Sequence, residues 1–243
     1  MRQEQPHYRD AKTLVKVARR KLHNIMAPYL EDLDYREAAG WVDALPETPT
    51  LAGLKALGRQ VMQTHASTRE RLPLLDTFYE RLFAVTGVPG SILDLACGLH
   101  PFSFPWMGLP ADCAYHAYDI HAPRVELINR YFAKAGLRPL AELRDVLVEP
   151  PRVPAHLALL FKEAHRMEKR SPGCSRPFWQ ALPVRWLAVS LPASDLAGDH
   201  DLQPRQRDLV SSITTGLTWA VSELDIGEEM IFVIDKGETF EQP

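Results

Sequence analysis

The sequence predicts an α/β protein, with an open, doubly wound sheet preceded by an all-helical N-terminal region. Three features carry that expectation. Short apolar runs alternate with helical patterns from residue 91 onward, the rhythm of a parallel sheet with crossover helices. Three of those runs end at or near an aspartate, namely Asp94, Asp119 and Asp145. The region before Gly87 shows only three- and four-residue apolar spacing.

In chain order, Leu14, Val15, Ala18, Leu22 and Ile25 mark a first helix, with Lys12, Lys16, Arg19 and Arg20 mainly off its apolar stripe. Pro28 breaks the pattern, and a second amphipathic stretch runs to about Trp41. Pro46 to Thr50 is a linker or a helix start. Leu51–Gln63 and Thr68–Val85 read as two more helices, so a helical domain over 1–85 precedes a sheet domain over 86–243. Gly87-Val88-Pro89-Gly90 marks the change. Strands follow at Ser91–Leu95, Ala114–Tyr118, Leu140–Leu143, His156–Phe161, Trp186–Leu191 and Met230–Ile234. Helices are expected at Pro123–Lys134 and Pro204–Val221.

Composition narrows the class. The chain has 243 residues, 46% hydrophobic and 24% charged, enough for one large domain and a smaller one. No apolar run is long enough to cross a bilayer, and Met1–Asp10 lacks the apolar core of a signal peptide, so no membrane partner and a cytoplasmic setting are expected. Cys97, Cys113 and Cys174 are an odd number without CxxC spacing, which argues against a disulfide framework or a metal site. The net charge of −3 hides an asymmetry: residues 1–30 carry seven basic side chains against two acids, and residues 190–243 eleven acids against three basic ones. The basic set comprises Arg2, Arg9, Lys12, Lys16, Arg19, Arg20 and Lys21. It suits a polyanionic partner, a solvated helix face being the alternative.

Open α/β sheets bind ligands at the carboxyl ends of their strands. Asp94 closes the first strand, and Ala96-Cys97-Gly98 after it is small enough for close backbone approach. Asp119 ends the second strand, where a carboxylate accepts hydrogen bonds from ribose hydroxyls. Asp145 follows the third, placed for an adenine amino group, with Val146 and Leu147 against the ring. A nicotinamide dinucleotide needs GxGxxG to meet its pyrophosphate, and this turn has one glycine followed by Leu99-His100-Pro101. S-adenosylmethionine, a nucleoside without phosphates, fits better. The sheet region is then expected to be a Rossmann-like class I S-adenosylmethionine methyltransferase domain, helix caps or surface acids being the other reading of the three aspartates.

Two segments are more specific, His65-Ala66-Ser67-Thr68-Arg69-Glu70-Arg71-Leu72 and Asp94 through Pro101, continuing to Pro105-Trp106-Met107. Together they resemble the aminoglycoside-resistance 16S rRNA (guanine-N7) methyltransferases, the Arm/Rmt group, over most of the chain. The resemblance implies methylation of N7 of guanine 1405 (rRNA numbering) in the decoding site of the 30S subunit, with the helical region docking on rRNA. It implies that Arg71 reaches the cofactor carboxylate and that Gly98, in the turn from Ala96, lies on the methionine moiety. Asp119 takes the ribose, Asp145 and Val146 the adenine, and His65 and Ser67 shape the pocket.

Guanine N7 has an in-plane lone pair and no proton to lose, so transfer needs positioning and no general base. The segment after the fourth strand, Phe161-Lys162-Glu163-Ala164-His165, lacks the Asn/Asp-Pro-Pro-aromatic signature of enzymes that methylate exocyclic amines. RNA contacts are expected from Lys12, Lys16, Arg19, Arg20 and Lys21, and from a charged loop containing Arg166, Lys169 and Arg170. Phe102, Phe104 and Trp106 either stack on an extruded base or pack in the core. Asp195, Asp199 and Asp201 stand where relatives carry basic residues. Methylation of another rRNA site or of a non-RNA substrate, and a ribosome-binding protein without catalysis, are the other readings open at this point.

Overall fold

The computed structural model describes residues 11–26, 33–110, 112–194, 201–227 and 229–237. Residues Met1–Asp34 and Tyr35–Pro243 form separate compact units. In the first, α1 spans Ala11–Met26, with Lys12, Lys16 and Arg19 exposed and Leu14, Val17 and Ala18 half-buried. The side chains of Arg20 and Lys21 lie outside the described residues.

The second unit is a seven-stranded sheet in the order β3-β2-β1-β4-β5-β7-β6. Its strands are β1 (Ser91–Leu95), β2 (Ala114–Asp119), β3 (Ala141–Leu143), β4 (Ala155–Phe161), β5 (Val184–Pro192), β6 (Ala220–Ile226) and β7 (Glu229–Asp235). β1 to β5 run parallel, and β7 enters antiparallel between β5 and β6. That reversal places Glu229, the first residue of β7, opposite Pro192 at the carboxyl end of β5.

Side-chain alternation along the strands fixes what each face carries. Leu93, Leu95, Leu187, Val189, Met230 and Phe232 form one core with Trp179, Val210 and Ile213. Those last three come from α8 (Ser175–Ala181) and α9 (Gln203–Thr214). The intervening positions Asp94, Ser190 and Glu229 point to the opposite face, where their partners come from the 65–106 region. That face is covered by α5 (Leu75–Thr86), the 3-10 segment His100–Trp106 and α6 (Ala122–Lys134), with α3 (Leu51–Met62) packed on the 3-10 segment. With α2 (Tyr35–Asp43) resting on α6, the division expected at residue 85 falls inside one compact unit. The apolar stripes of these helices are buried by the sheet domain itself.

Four expectations change. The helix from Thr68 is interrupted, because Pro73 cannot donate within it. α4 (Ala66–Arg69) is followed by a 3-10 turn at Leu72–Leu74 and then α5. The helix from Pro204 ends at Thr214, and Ala220–Val221 already belong to β6. Gly216, with φ of 74°, turns the chain between them. The charged loop after β4 is a helix, α7 (Ala164–Arg170). The helix α8 was not expected at all.

One close approach is specific. A Cβ on Gly58 of α3 would stand 2.5 Å from the Phe102 carbonyl oxygen and 3.0 Å from the Trp106 ring. Gly58→Ala would gain helix propensity of about 1 kcal/mol, yet forcing α3 off buried backbone costs about 1–3 kcal/mol. The variant is expected to melt below the wild type in a thermal scan, and an unchanged or raised midpoint contradicts this packing.

Candidate cofactor site

The turn after β1 is held by its backbone. Ala96 has φ of 50° and Gly98 of 57°, a left-handed pair that reverses the chain at the sheet edge. Cys97 N–H donates to the Tyr118 carbonyl at 2.9 Å, and Gly98 N–H to Asp119 Oδ2 at 3.0 Å. Beyond Gly98 a Cβ would meet nothing within 4 Å. The turn therefore presents bare backbone to open space beside a carboxylate, which fits a nucleoside ligand.

Behind it lies a buried polar network. Asp94 Oδ2 accepts from Tyr115 Oη and from His100 Nδ1, each at 2.8 Å. The other imidazole nitrogen meets Tyr79 Oη at 2.8 Å, and Tyr79 also bonds Ser103. Burial pushes the Tyr79 and Tyr115 phenols well up, so both stay protonated donors. The network ties β1, β2, α5 and the 3-10 segment together directly beneath the turn. Asp94 is thus a scaffold residue.

Asp119 is buried and accepts four hydrogen bonds: His121 N–H at 2.8 Å, Gly98 N–H at 3.0 Å, and Arg124 Nη1 at 3.2 and 3.1 Å to its two oxygens. Asp145, exposed, accepts from Leu147 N–H at 3.0 Å. Val146 beside it is buried in the core. Ala96, Gly98, Asp119 and Asp145 thus fall at the carboxyl ends of the three adjacent strands β1, β2 and β3.

The His65–Leu72 segment adjoins the ends of β4, β5 and β7. His65 is buried, and its Nδ1 lies 2.7 Å from Ser67 Oγ. Arg71 is 1% exposed, its guanidinium lying 4.8 Å from the Phe78 ring and 4.4 Å from Phe161. Nη2 donates to Glu229 Oε2 at 2.6 Å and reaches Ser190 Oγ at 3.5 Å. Glu229 also faces Lys162 Nζ at 3.3 Å, and Lys162 pairs with Glu70 in turn. Burial alone would raise the Glu229 pKa, but Arg71 and Lys162 overcome it and hold the carboxyl below its usual range. Lys162 has φ of 57° at the end of β4, a strained conformation for a non-glycine residue. Its N–H is fixed by the Ser190 carbonyl at 2.9 Å and Ser190 Oγ at 3.0 Å.

α7 leaves the same edge with Arg166, Lys169 and Arg170 partly or fully exposed, and Arg170 donates to Glu163 at 3.0 Å. Within this helix, burial and the surrounding cations pull the His165 pKa down to about 4, so it is neutral at pH 7. Phe102 is fully buried and stacks on Tyr131 at 4.5 Å, and Trp106 lies under Lys55 and Arg59 of α3. Both are core residues, which removes them as platforms for an extruded base. All three cysteines are held protonated. Burial lifts Cys97 well above its ordinary value, Cys113 to about 11, and Cys174 by burial and Glu168. Asp195, Asp199 and His200 lie outside the described residues.

Sequence reasoning missed Glu229, Arg124 and the Tyr79–His100–Tyr115 network. An arginine in the first turn of the helix after Asp119 was the one local signal for Arg124.

Comparison with known proteins gives a consistent set. The family model described as ribosomal RNA methyltransferase (FmrO) matches residues 5–233. A "16S rRNA (guanine(1405)-N(7))-methyltransferase" of Micromonospora rosea is 28% identical over 233 residues, covering 93% of this chain and 84% of that protein. One of the same name from Serratia marcescens is 29% identical over 239 residues, covering 97% and 88%. Among solved structures, the 16S rRNA methylase RmtB aligns with a TM-score of 0.78 at 27% identity, covering 97% of this chain and 87% of that one. The 16S rRNA methyltransferase RmtF, solved with S-adenosyl-L-homocysteine, aligns at 0.76 and 27%, covering 97% and 88%.

Proposed function

We infer the function from one premise: this chain belongs to the ribosomal RNA methyltransferase (FmrO) family. It is an S-adenosylmethionine-dependent methyltransferase of 16S rRNA, and its reaction is the one named for its relatives, methylation of guanine 1405 at N7. Resistance to aminoglycosides is the expected phenotype of a cell that carries it. The observation that supports this most is the site order along the sheet edge, from the bare Gly98 turn to Asp119 and Asp145.

S-adenosylmethionine, when bound, supplies a methyl group on a sulfonium, which the N7 lone pair takes as the C–S bond breaks. No proton leaves N7, so the chain's task is binding and alignment. Gly98 and Ala96 give the methionine part a backbone surface. Asp119 accepts from the ribose, and Asp145 with Val146 lines the adenine. Arg71 faces the cofactor carboxylate, its guanidinium held in place by Phe78, Phe161 and Glu229. His65 and Ser67 brace the pocket wall. The protonated thiols supply no nucleophile, which accords with an acceptor that carries its own lone pair.

The substrate form is the assembled 30S subunit, in the cytoplasm. The exposed Lys12, Lys16 and Arg19, with Arg20 and Lys21, contact phosphates as an N-terminal docking domain. Arg166, Lys169 and Arg170 of α7 contact rRNA beside the reacting base. Changing Arg19, Arg20 and Lys21 to glutamate is expected to weaken subunit binding at least about tenfold and flatten its salt dependence by about three contacts. S-adenosylhomocysteine affinity should stay the same. Unchanged subunit binding removes the docking role.

The reading is tested with labelled S-adenosylmethionine offered alongside 30S subunits, naked 16S rRNA and 70S ribosomes. Label is expected in 30S alone. Equal labelling of naked rRNA contradicts the subunit as substrate, and no labelled RNA contradicts the reading as a whole.

A further inference from the structure

The carboxylate of Asp119 is already filled by protein donors. A carboxylate offers about four lone-pair positions, and the four hydrogen bonds from His121 N–H, Gly98 N–H and Arg124 Nη1 occupy them. Two of these donors are backbone and fixed, one by the cofactor turn and one by the start of α6. Arg124 is the side-chain donor in the set, and it bridges both oxygens. Its position is held from behind, since Nε donates to Tyr35 Oη at 3.2 Å and the Tyr35 ring lies 4.9 Å from His121.

A ribose diol donates its two hydroxyl protons to a carboxylate. It must therefore take lone pairs that Arg124 now holds. We propose that Arg124 is a built-in competitor for the cofactor ribose at Asp119, latched by Tyr35, and that it sets the affinity for the adenosyl ligand. This rests on the assignment of Asp119 to the ribose.

The arrangement has two consequences. Before the cofactor arrives, Arg124 pairs with the buried Asp119 charge, which would be costly to leave without a partner. After transfer, the arginine returns to its place as the spent nucleoside leaves, which weakens product binding and favours exchange. Burial opposes the charge on Arg124, but Asp119 more than offsets it, so the guanidinium stays cationic in the closed arrangement.

Titration calorimetry with S-adenosylhomocysteine on the full chain tests this with wild type, Arg124→Gln and Tyr35→Phe. Arg124→Gln is expected to bind about tenfold more tightly, because the charge-assisted competitor that bridges both Asp119 oxygens is replaced by a neutral amide. Tyr35→Phe keeps the arginine but removes its latch, and is expected to tighten binding about twofold to threefold, a part of the same effect. In a crystal of the wild type with S-adenosylhomocysteine, Arg124 Nη1 is expected beyond hydrogen-bond reach of at least one Asp119 oxygen. Equal or weaker binding by Arg124→Gln, or both Arg124 contacts intact with ligand on Asp119, overturns the proposal. If Arg124→Gln does not fold, Tyr35→Phe and the crystal decide. Wild type that binds no S-adenosylhomocysteine would instead overturn the cofactor assignment itself, and the competitor with it.

Discussion

Glu229→Gln is expected to lose about 3 kcal/mol of folding stability or more, because it strands a buried guanidinium. Arg71 and Glu229 are 1% and 3% exposed, and their contact is 2.6 Å long. Glutamine keeps the shape and one acceptor oxygen but not the charge, so the Arg71 guanidinium, beside Ser190 and two aromatic faces, is left buried without a counter-charge. Lys162 keeps Glu70. Denaturant unfolding measures the loss. The double variant Arg71→Met with Glu229→Gln should be less destabilised than the two single changes add up to, since it leaves no orphan charge.

The same pair predicts a pH effect of definite sign. The folded-state pKa of Glu229 is below its ordinary value of 4.5. Its stabilisation is therefore fully present above the unfolded-state pKa and fades as pH falls through the lower, folded-state one. The wild type should lose stability on the acid side of about pH 4.5 more steeply than Glu229→Gln. Parallel curves contradict the ion pair.

Asp119→Asn is expected to weaken S-adenosylhomocysteine binding about 100-fold. Two hydrogen bonds from ribose to a charged acceptor are at stake, each contributing about 1.5 kcal/mol at the low end. Subunit binding should change little, because the Asp119 side chain is buried. Calorimetry and a filter-binding assay separate the two. Wild-type affinity for S-adenosylhomocysteine in Asp119→Asn removes the ribose assignment and with it the frame for Arg124.

The parallel half of the sheet was readable from local pattern. β1, β2 and β4 are buried apolar runs, and a small-residue turn with an acid at its edge is a signal contained in a few consecutive residues. β6 was not readable, because it is an edge strand with only Ile226 buried, and Val221 looked like one more helical turn. α8 was hidden by Pro177, which reads as a loop signal but is tolerated in a first turn. The charge pairing was beyond local reading for a different reason. Glu229 lies 158 residues from Arg71, and only the antiparallel entry of β7 brings it to the edge where Arg71 is held. Arg71 could be assigned to a ligand by resemblance, but the carboxylate and the two phenyl rings that fix it appear only in the fold.

The identity of the methylated atom decides the function most directly. 30S subunits treated with this protein and S-adenosylmethionine can be reduced, cleaved at N7-methylguanosine, and read by primer extension along 16S rRNA. One new stop is expected, at the decoding-site guanine named for the relatives, guanine 1405. A stop at another guanine, or methyl label in 16S rRNA without any reductive cleavage, would contradict it.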